Sequence, residues 1–250
     1  MTIKSTDDYD IEDSNSKFML VGEFGTGKSE FASTFPTPGF VFNWDKKIKA
    51  YADKGGWDYA EYDLSAKGWI EFEKDFQEVT KLAREGKYKT IVGDSTTSFT
   101  DLAMERALAL DPKRSSTQGP VWNVHYQMVR NLVEGKIRQL VSLSCNIVLI
   151  SHLSIITDQE TGAIIAIEPM LTGQLAIKVP GYFEEVYCCF TKQKEGKPYW
   201  YMRTTPRGLY KARSEMRGVK GLLPDELPNN YQAVMEAYRK AIEARKEKKS

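Results

Sequence analysis

The stretch "VGEFGTGKSE" at residues 21 to 30 sets Gly22, Gly27, Lys28 and Ser29 at the spacing G-x-x-x-x-G-K-[ST]. Residues of these types at this spacing bind phosphate. Glycines let successive backbone N–H groups turn inward around an anion at the start of a helix. Lys28 then reaches the terminal phosphates of a nucleotide, and the Ser29 hydroxyl is an oxygen ligand for Mg²⁺. The candidate nucleotide-binding residues are Gly22, Glu23, Phe24, Gly25, Thr26, Gly27, Lys28, Ser29 and Glu30. Asp94, closing "TIVGD", is the second candidate metal residue, an acid at a strand end that holds the Mg²⁺ shell together with Ser29. No Glu follows it, only Ser95, Thr96 and Thr97, so a water-activating base must come from another segment or hydrolysis is weak.

Positioning these groups requires alternating strands and helices. "SKFMLVG" (16–22) reads as a strand entering the glycine loop, and "KSEFASTF" as the helix leaving it, stopped by "PTPG". "FVFNW" (40–44), "KTIVGDSTT" (89–97) and "CNIVLISH" (145–152) are continuous apolar runs of strand length. Trp69, Phe72, Phe76, Val79 and Ala83 recur at helical spacing and predict a core-facing helix, and 123–143 predicts a second long amphipathic one. Buried strands alternating with helices imply a mostly parallel sheet covered on both faces, an α/β class. Residues 154–169 predict a hairpin turning at Asp158 to Gly162, "EEVYCCF" and "PYWYMRTT" a β-rich extension, and the chain from about Tyr231 a charged helix.

Composition narrows the class further. An apolar share of 41% supports a real core, and 35 Lys plus Arg against 34 Asp plus Glu exclude a global basic field. Any nucleic-acid contact must be local. Acids crowd residues 7–13 and cations crowd the last twelve, so both ends read as solvated tails. The three cysteines lack disulfide or zinc spacing, and no apolar run is long enough for a membrane span or has the pattern of a signal peptide, so a cytoplasmic location is expected.

Taken together, the motifs resemble the RecA-type recombinase and ring-helicase ATPases, and more closely the small core-only RecA-like ATPases of bacteriophages, several of which are single-strand annealing proteins. The resemblance covers about residues 16 to 230 and implies ATP with Mg²⁺ as cofactors. It implies that Asp45, in "FVFNWDKKIKA", is the catalytic base, although this chain has Lys46 and Lys47 where phage relatives often have glycines. Alone, Asp45 reads equally as a turn carboxylate. His152, closing "IVLISH", stands where the family has a γ-phosphate sensor; alone it is an ordinary surface or core histidine. Lys211 and Arg213 in "YKARSEMRG" resemble the K-x-R finger that reaches a neighbouring subunit's nucleotide; alone they are two exposed cations. The finger implies an oligomer, ring or filament.

In the family two loops face DNA, and their counterparts are 111–122 and 153–178. Lys113 and Arg114 suit phosphate contact, Trp122 suits either base stacking or the core, and the second loop has almost no cations before Lys178. The organisation expected is an acidic tail (1–15), a RecA-like ATPase domain (16–228) and a charged C-terminal helix (229–250). The function expected is an ATPase, stimulated by single-stranded DNA, in phage recombination, annealing or replication, with a single-stranded-DNA-binding protein as a further partner and no membrane association. The alternative is a nucleotide-dependent switch or loader that binds a protein partner and touches DNA little.

Overall fold

Apolar runs bounded by glycine and proline give the strands, and the computed structural model describes them within residues 15–215 and 223–247. Residues 1–14 of the expected acidic tail and 248–250 of the C-terminal segment lie outside the described residues. β1 (Lys17–Gly22), β2 (Gly39–Asn43), β3 (Trp57–Glu61), β4 (Thr90–Asp94), β5 (Asn146–Thr157) and β7 (Glu185–Lys194) pair in parallel in the order β7-β1-β5-β4-β2-β3. β8 (Lys197–Arg203) and β10 (Glu226–Pro228) add antiparallel strands beyond β7, while β6 (Ile164–Pro169) pairs with β5 and β9 (Arg213–Ser214) with β7. This is the expected α/β core, a mostly parallel sheet flanked by helices, with a C-terminal β-rich extension.

Side chains alternate across each strand, and the two faces build two cores. Met19, Val21, Phe40, Phe42, Ile91, Ile147 and Leu149 face α3 (Ala66–Arg84), α4 (Thr96–Leu110) and α5 (Gln127–Val141), where Trp69, Phe72 and Phe99 stack into an aromatic cluster. Phe18, Leu20, Val41, Val92, Val148 and Ile150 face α1 (Lys28–Ala32), α2 (Lys49–Ala52) and α7 (Tyr231–Glu247), and the short α6 (Leu175–Lys178) precedes β7. The predicted face of α3 is the one observed, with Trp69, Phe72, Phe76, Val79 and Ala83 all buried.

Three local readings change. β3 is an edge strand, "WDYAE", whose half-exposed pattern hides it among polar residues. β5 does not end at His152 but runs on to Thr157, leaving the main sheet to pair with β6 in the hairpin expected around Asp158–Gly162. The C-terminal helix α7 is docked rather than fully solvated, because Val234, Tyr238 and Ala241 form an apolar stripe against Phe18, Phe31 and Phe35 beneath the charged face.

Ligands of open parallel sheets bind at the carboxyl ends of the strands. That edge gathers Gly22, the Asn43 to Asp45 turn, Asp94 and His152, with Gly22 opposite His152 and Asn43 opposite Asp94 in the register.

Candidate active site

The loop leaving β1 needs left-handed backbone twice, and glycine supplies it at Gly25 (φ 75) and Gly27 (φ 77). Gly27 caps α1, whose first residue, Lys28, folds back so that Nζ donates to the Gly22 carbonyl at 3.0 Å and the Glu23 carbonyl at 2.7 Å. Burial lowers the Lys28 pKa from its ordinary value, so the cation is held in a setting that favours contact with an anion. Thr26 Oγ1 donates to the Glu23 carbonyl at 2.8 Å and braces the loop. Glu30 Oε2 lies 3.8 Å from Lys54 Nζ.

Ser29 Oγ donates to Asp94 Oδ2 at 2.7 Å, so the two expected metal residues already meet although they are 65 positions apart. Their oxygens fit Mg²⁺, which takes one or two protein oxygens and fills its shell with water and substrate phosphates. Among the described residues no cluster of three or more His, Cys, Asp or Glu forms a self-sufficient metal site. Burial pushes the Asp94 carboxyl up to about 6; the Ser29 hydrogen bond works against this and the Asp45 charge works with it.

Asp45 is the second carboxylate of the site. Its Oδ1 accepts from Ser95 N at 3.2 Å and from Ser95 Oγ at 2.9 Å, and its own N–H donates to the Asp94 carbonyl at 3.1 Å. Burial opposes its charge, yet His152, Ser98 and the two Ser95 donors outweigh it and hold Asp45 well below the usual carboxylate range. The two acids are thus split: Asp45 ionised, Asp94 reluctant until a cation arrives. The turn that aims Asp45 is set by Asn43, whose Oδ1 accepts from Lys47 N at 2.9 Å, and by Lys46 at φ 54. That left-handed angle explains why glycine suits the place where Lys46 stands; here a contact from Lys46 Nζ to Asp63 ties the turn down.

His152 Nε2 lies 3.8 Å from Asp45 Oδ2, a charge-distance contact rather than a hydrogen bond. The exposed Phe24 ring covers the imidazole, with ring centres 4.2 Å apart. A cavity of about 240 Å³ runs from Gly25–Glu30 past Lys28, Asp94 and Asp45 to His152 and Trp200. A second, of about 440 Å³, adjoins it at Phe24, Asp45, Lys47 and His152 and is walled by Trp44, Tyr62 and Leu64.

The structure brings together Lys28, Ser29, Asp94, Asp45 and His152. It does not bring Lys211 or Arg213 to this cavity. Arg213 lies in β9 opposite Val186 and donates to Glu215 Oε1 at 2.6 Å, while Lys211 Nζ donates to Glu168 Oε1 at 3.0 Å. Trp122 is 69% exposed, so it is no core residue. Sequence reading missed Ser95, whose two donors aim Asp45, and Trp200 and Asn229, which brace the glycine loop from far along the chain. Only Ser95, adjacent to Asp94, had a local signal.

A phosphate loop, a Mg²⁺-fitting serine–aspartate pair and an ionised carboxylate at the strand ends of a mostly parallel sheet define a P-loop ATPase core. The chain belongs to the AAA domain family, whose model matches residues 14–216. Among solved structures it is similar to a KaiC-like protein from the hyperthermophilic archaeon Pyrococcus horikoshii, at 12% identity over 80% of this chain and 81% of that one with a TM-score of 0.40. It is also similar to the flagellar accessory protein FlaH of Methanocaldococcus jannaschii, at 10% identity over 85% and 83% with a TM-score of 0.37. No curated protein sequence matches the chain. No helix of the described residues is long and apolar enough to cross a membrane.

Proposed function

We propose that this protein is a Mg²⁺-dependent ATPase that acts on single-stranded DNA in phage recombination, annealing or replication, in the host cytoplasm. In this reading Lys28 and the loop amides hold the β- and γ-phosphates, and Ser29 and Asp94 hold Mg²⁺, which when bound neutralises charge on those phosphates. Asp45, fixed by Ser95, takes a proton from the attacking water, and His152 orients the terminal phosphate by a hydrogen bond. Lys211 and Arg213 act on a neighbouring subunit's nucleotide, releasing their own-chain partners Glu168 and Glu215 as a ring or filament forms. Arg213→Ala is expected to lose turnover while sparing nucleotide binding, and mixing it with Lys28→Ala subunits is expected to restore activity. Failure in both mixing orders leaves Arg213 a surface cation.

One observation carries the DNA reading. The two loops expected to face DNA meet at a concave surface of about 410 Å³, where the exposed Trp122 ring packs against the half-buried Tyr126 ring, centres 4.5 Å apart, beside Arg130, with Thr172, Gly173 and Gln174 opposite. An exposed aromatic ring beside a guanidinium is the chemistry of single-strand binding without base readout. Buried His125 closes the neck of the first loop, its Nδ1 accepting from Val121 N at 2.8 Å and its Nε2 lying 2.8 Å from the Asp111 carbonyl. The test is a titration with a labelled single-stranded oligonucleotide. Binding that weakens steeply as salt rises and is reduced by Trp122→Ala supports the reading; absence of binding at low salt refutes it.

A second reading, a switch or loader for a protein partner such as a single-stranded-DNA-binding protein, is favoured by the β5–β6 hairpin. Ile155, Ile156, Ile164 and Ile165 stand exposed there in a hairpin that carries no Lys or Arg of its own, a surface suited to protein rather than to phosphate. Co-purification of a replication or recombination protein without DNA retention favours it.

A further inference from the structure

The sheet order gives the nucleotide pocket a direction. Lys28 sits at β1; Asp94, Asp45 and His152 lie on the side of β5, β4 and β2. A triphosphate whose terminal phosphate faces those carboxylates must send its sugar and base the other way, toward β7 and β8. On that side the cavity is walled by Trp200 of β8, about two strand spacings, or ~10 Å, from β1.

Trp200 is held there by specific contacts. Its Nε1–H donates to the Gly25 carbonyl at 2.8 Å, and its ring lies so close to Gly27 that a Cβ at Gly27 would approach it to 2.7 Å. Asn229, just after β10, donates from Nδ2 to the Gly27 carbonyl at 2.7 Å and fixes the same loop from the same side. The indole is nevertheless 44% exposed. A fixed, half-exposed indole beside a phosphate loop has the makings of a stacking surface, because only its edge is spent on the hydrogen bond and a flat face remains free.

We propose that Trp200 is the nucleobase platform of this site: the base of the bound nucleotide stacks on its indole while Nε1 keeps the ring registered to the glycine loop. The inference rests on the nucleotide-site reading above and adds which residue takes the base. It also gives Gly27 a second role, since any side chain there would displace the platform.

Calorimetric titration with ATP and, separately, with inorganic tripolyphosphate, both with Mg²⁺, separates base stacking from loop bracing. Trp200→Ala is expected to lower ATP affinity about tenfold, in the range of aromatic–base stacking, and to leave tripolyphosphate affinity within about twofold. Trp200→Phe, which keeps a ring but not the N–H, is expected to retain most of the ATP affinity. Equal losses for both ligands in Trp200→Ala overturn the proposal and leave Trp200 a brace for the loop. Unchanged ATP affinity in Trp200→Ala overturns the proposal alone, whereas wild-type protein that binds neither ligand overturns the nucleotide site and the proposal with it.

Discussion

The strand-end site and the loop face solve the problem of placing side chains in opposite ways. At the site, Asp45, Asp94 and His152 stand at the ends of parallel strands and Lys28 and Ser29 at the start of α1; they are buried or half-buried and joined by contacts such as Ser29 to Asp94 at 2.7 Å. On the loop face, Trp122 projects from the turn before α5 and the hairpin isoleucines from strands that leave the main sheet, and they are exposed. The first region is organised before its ligand arrives. The second offers exposed apolar surface, which suits recognition more than chemistry.

Four variations break or sharpen that contrast. Asp45→Asn keeps an acceptor for Ser95 and removes the base, so turnover should fall about 10²- to 10⁴-fold with nucleotide binding retained; a steady-state rate near wild type would move the base elsewhere. Lys28→Ala should cost about 100-fold or more in ATP affinity by calorimetry, because a buried cation with charge-assisted bonds is lost. Trp122→Ala should weaken single-stranded DNA binding about tenfold while Trp122→Phe loses little, and equal losses in both would tie the effect to loop structure rather than stacking.

The mildest variation is pH. Mg²⁺-dependent nucleotide affinity should rise as pH climbs through about 6, because Asp94 must release its proton to hold the cation. Fold stability without ligand should move the other way. Asp94 binds its proton more tightly folded, at about 6, than at its ordinary 3.8, so its contribution is full below pH 3.8 and is lost as pH rises to about 6. Asp94→Asn should flatten both trends in calorimetric and melting profiles.

The same contrast explains what could be read from the sequence. The strand-end residues were legible because β1, β2, β4 and β5 are apolar runs and each candidate sits at or just beyond the part of its strand within the main sheet. The split between Asp45 and Asp94 was not, since it depends on Ser95 donors and on burial that no spacing encodes. β3 was missed because an edge strand needs no apolar run. The apolar stripe of α7 was masked by its charged face, and Trp200 meets Gly25 across 175 residues, with no local pattern to announce it.

In the proposed function, the ordered hydrolysis site answers to single-stranded DNA bound at the loop face. The direct measurement is the steady-state rate of Mg²⁺-ATP hydrolysis with and without saturating single-stranded DNA at low salt. Mg²⁺-dependent turnover that rises when DNA is added is the expected result; a rate that DNA leaves unchanged would contradict the proposed function.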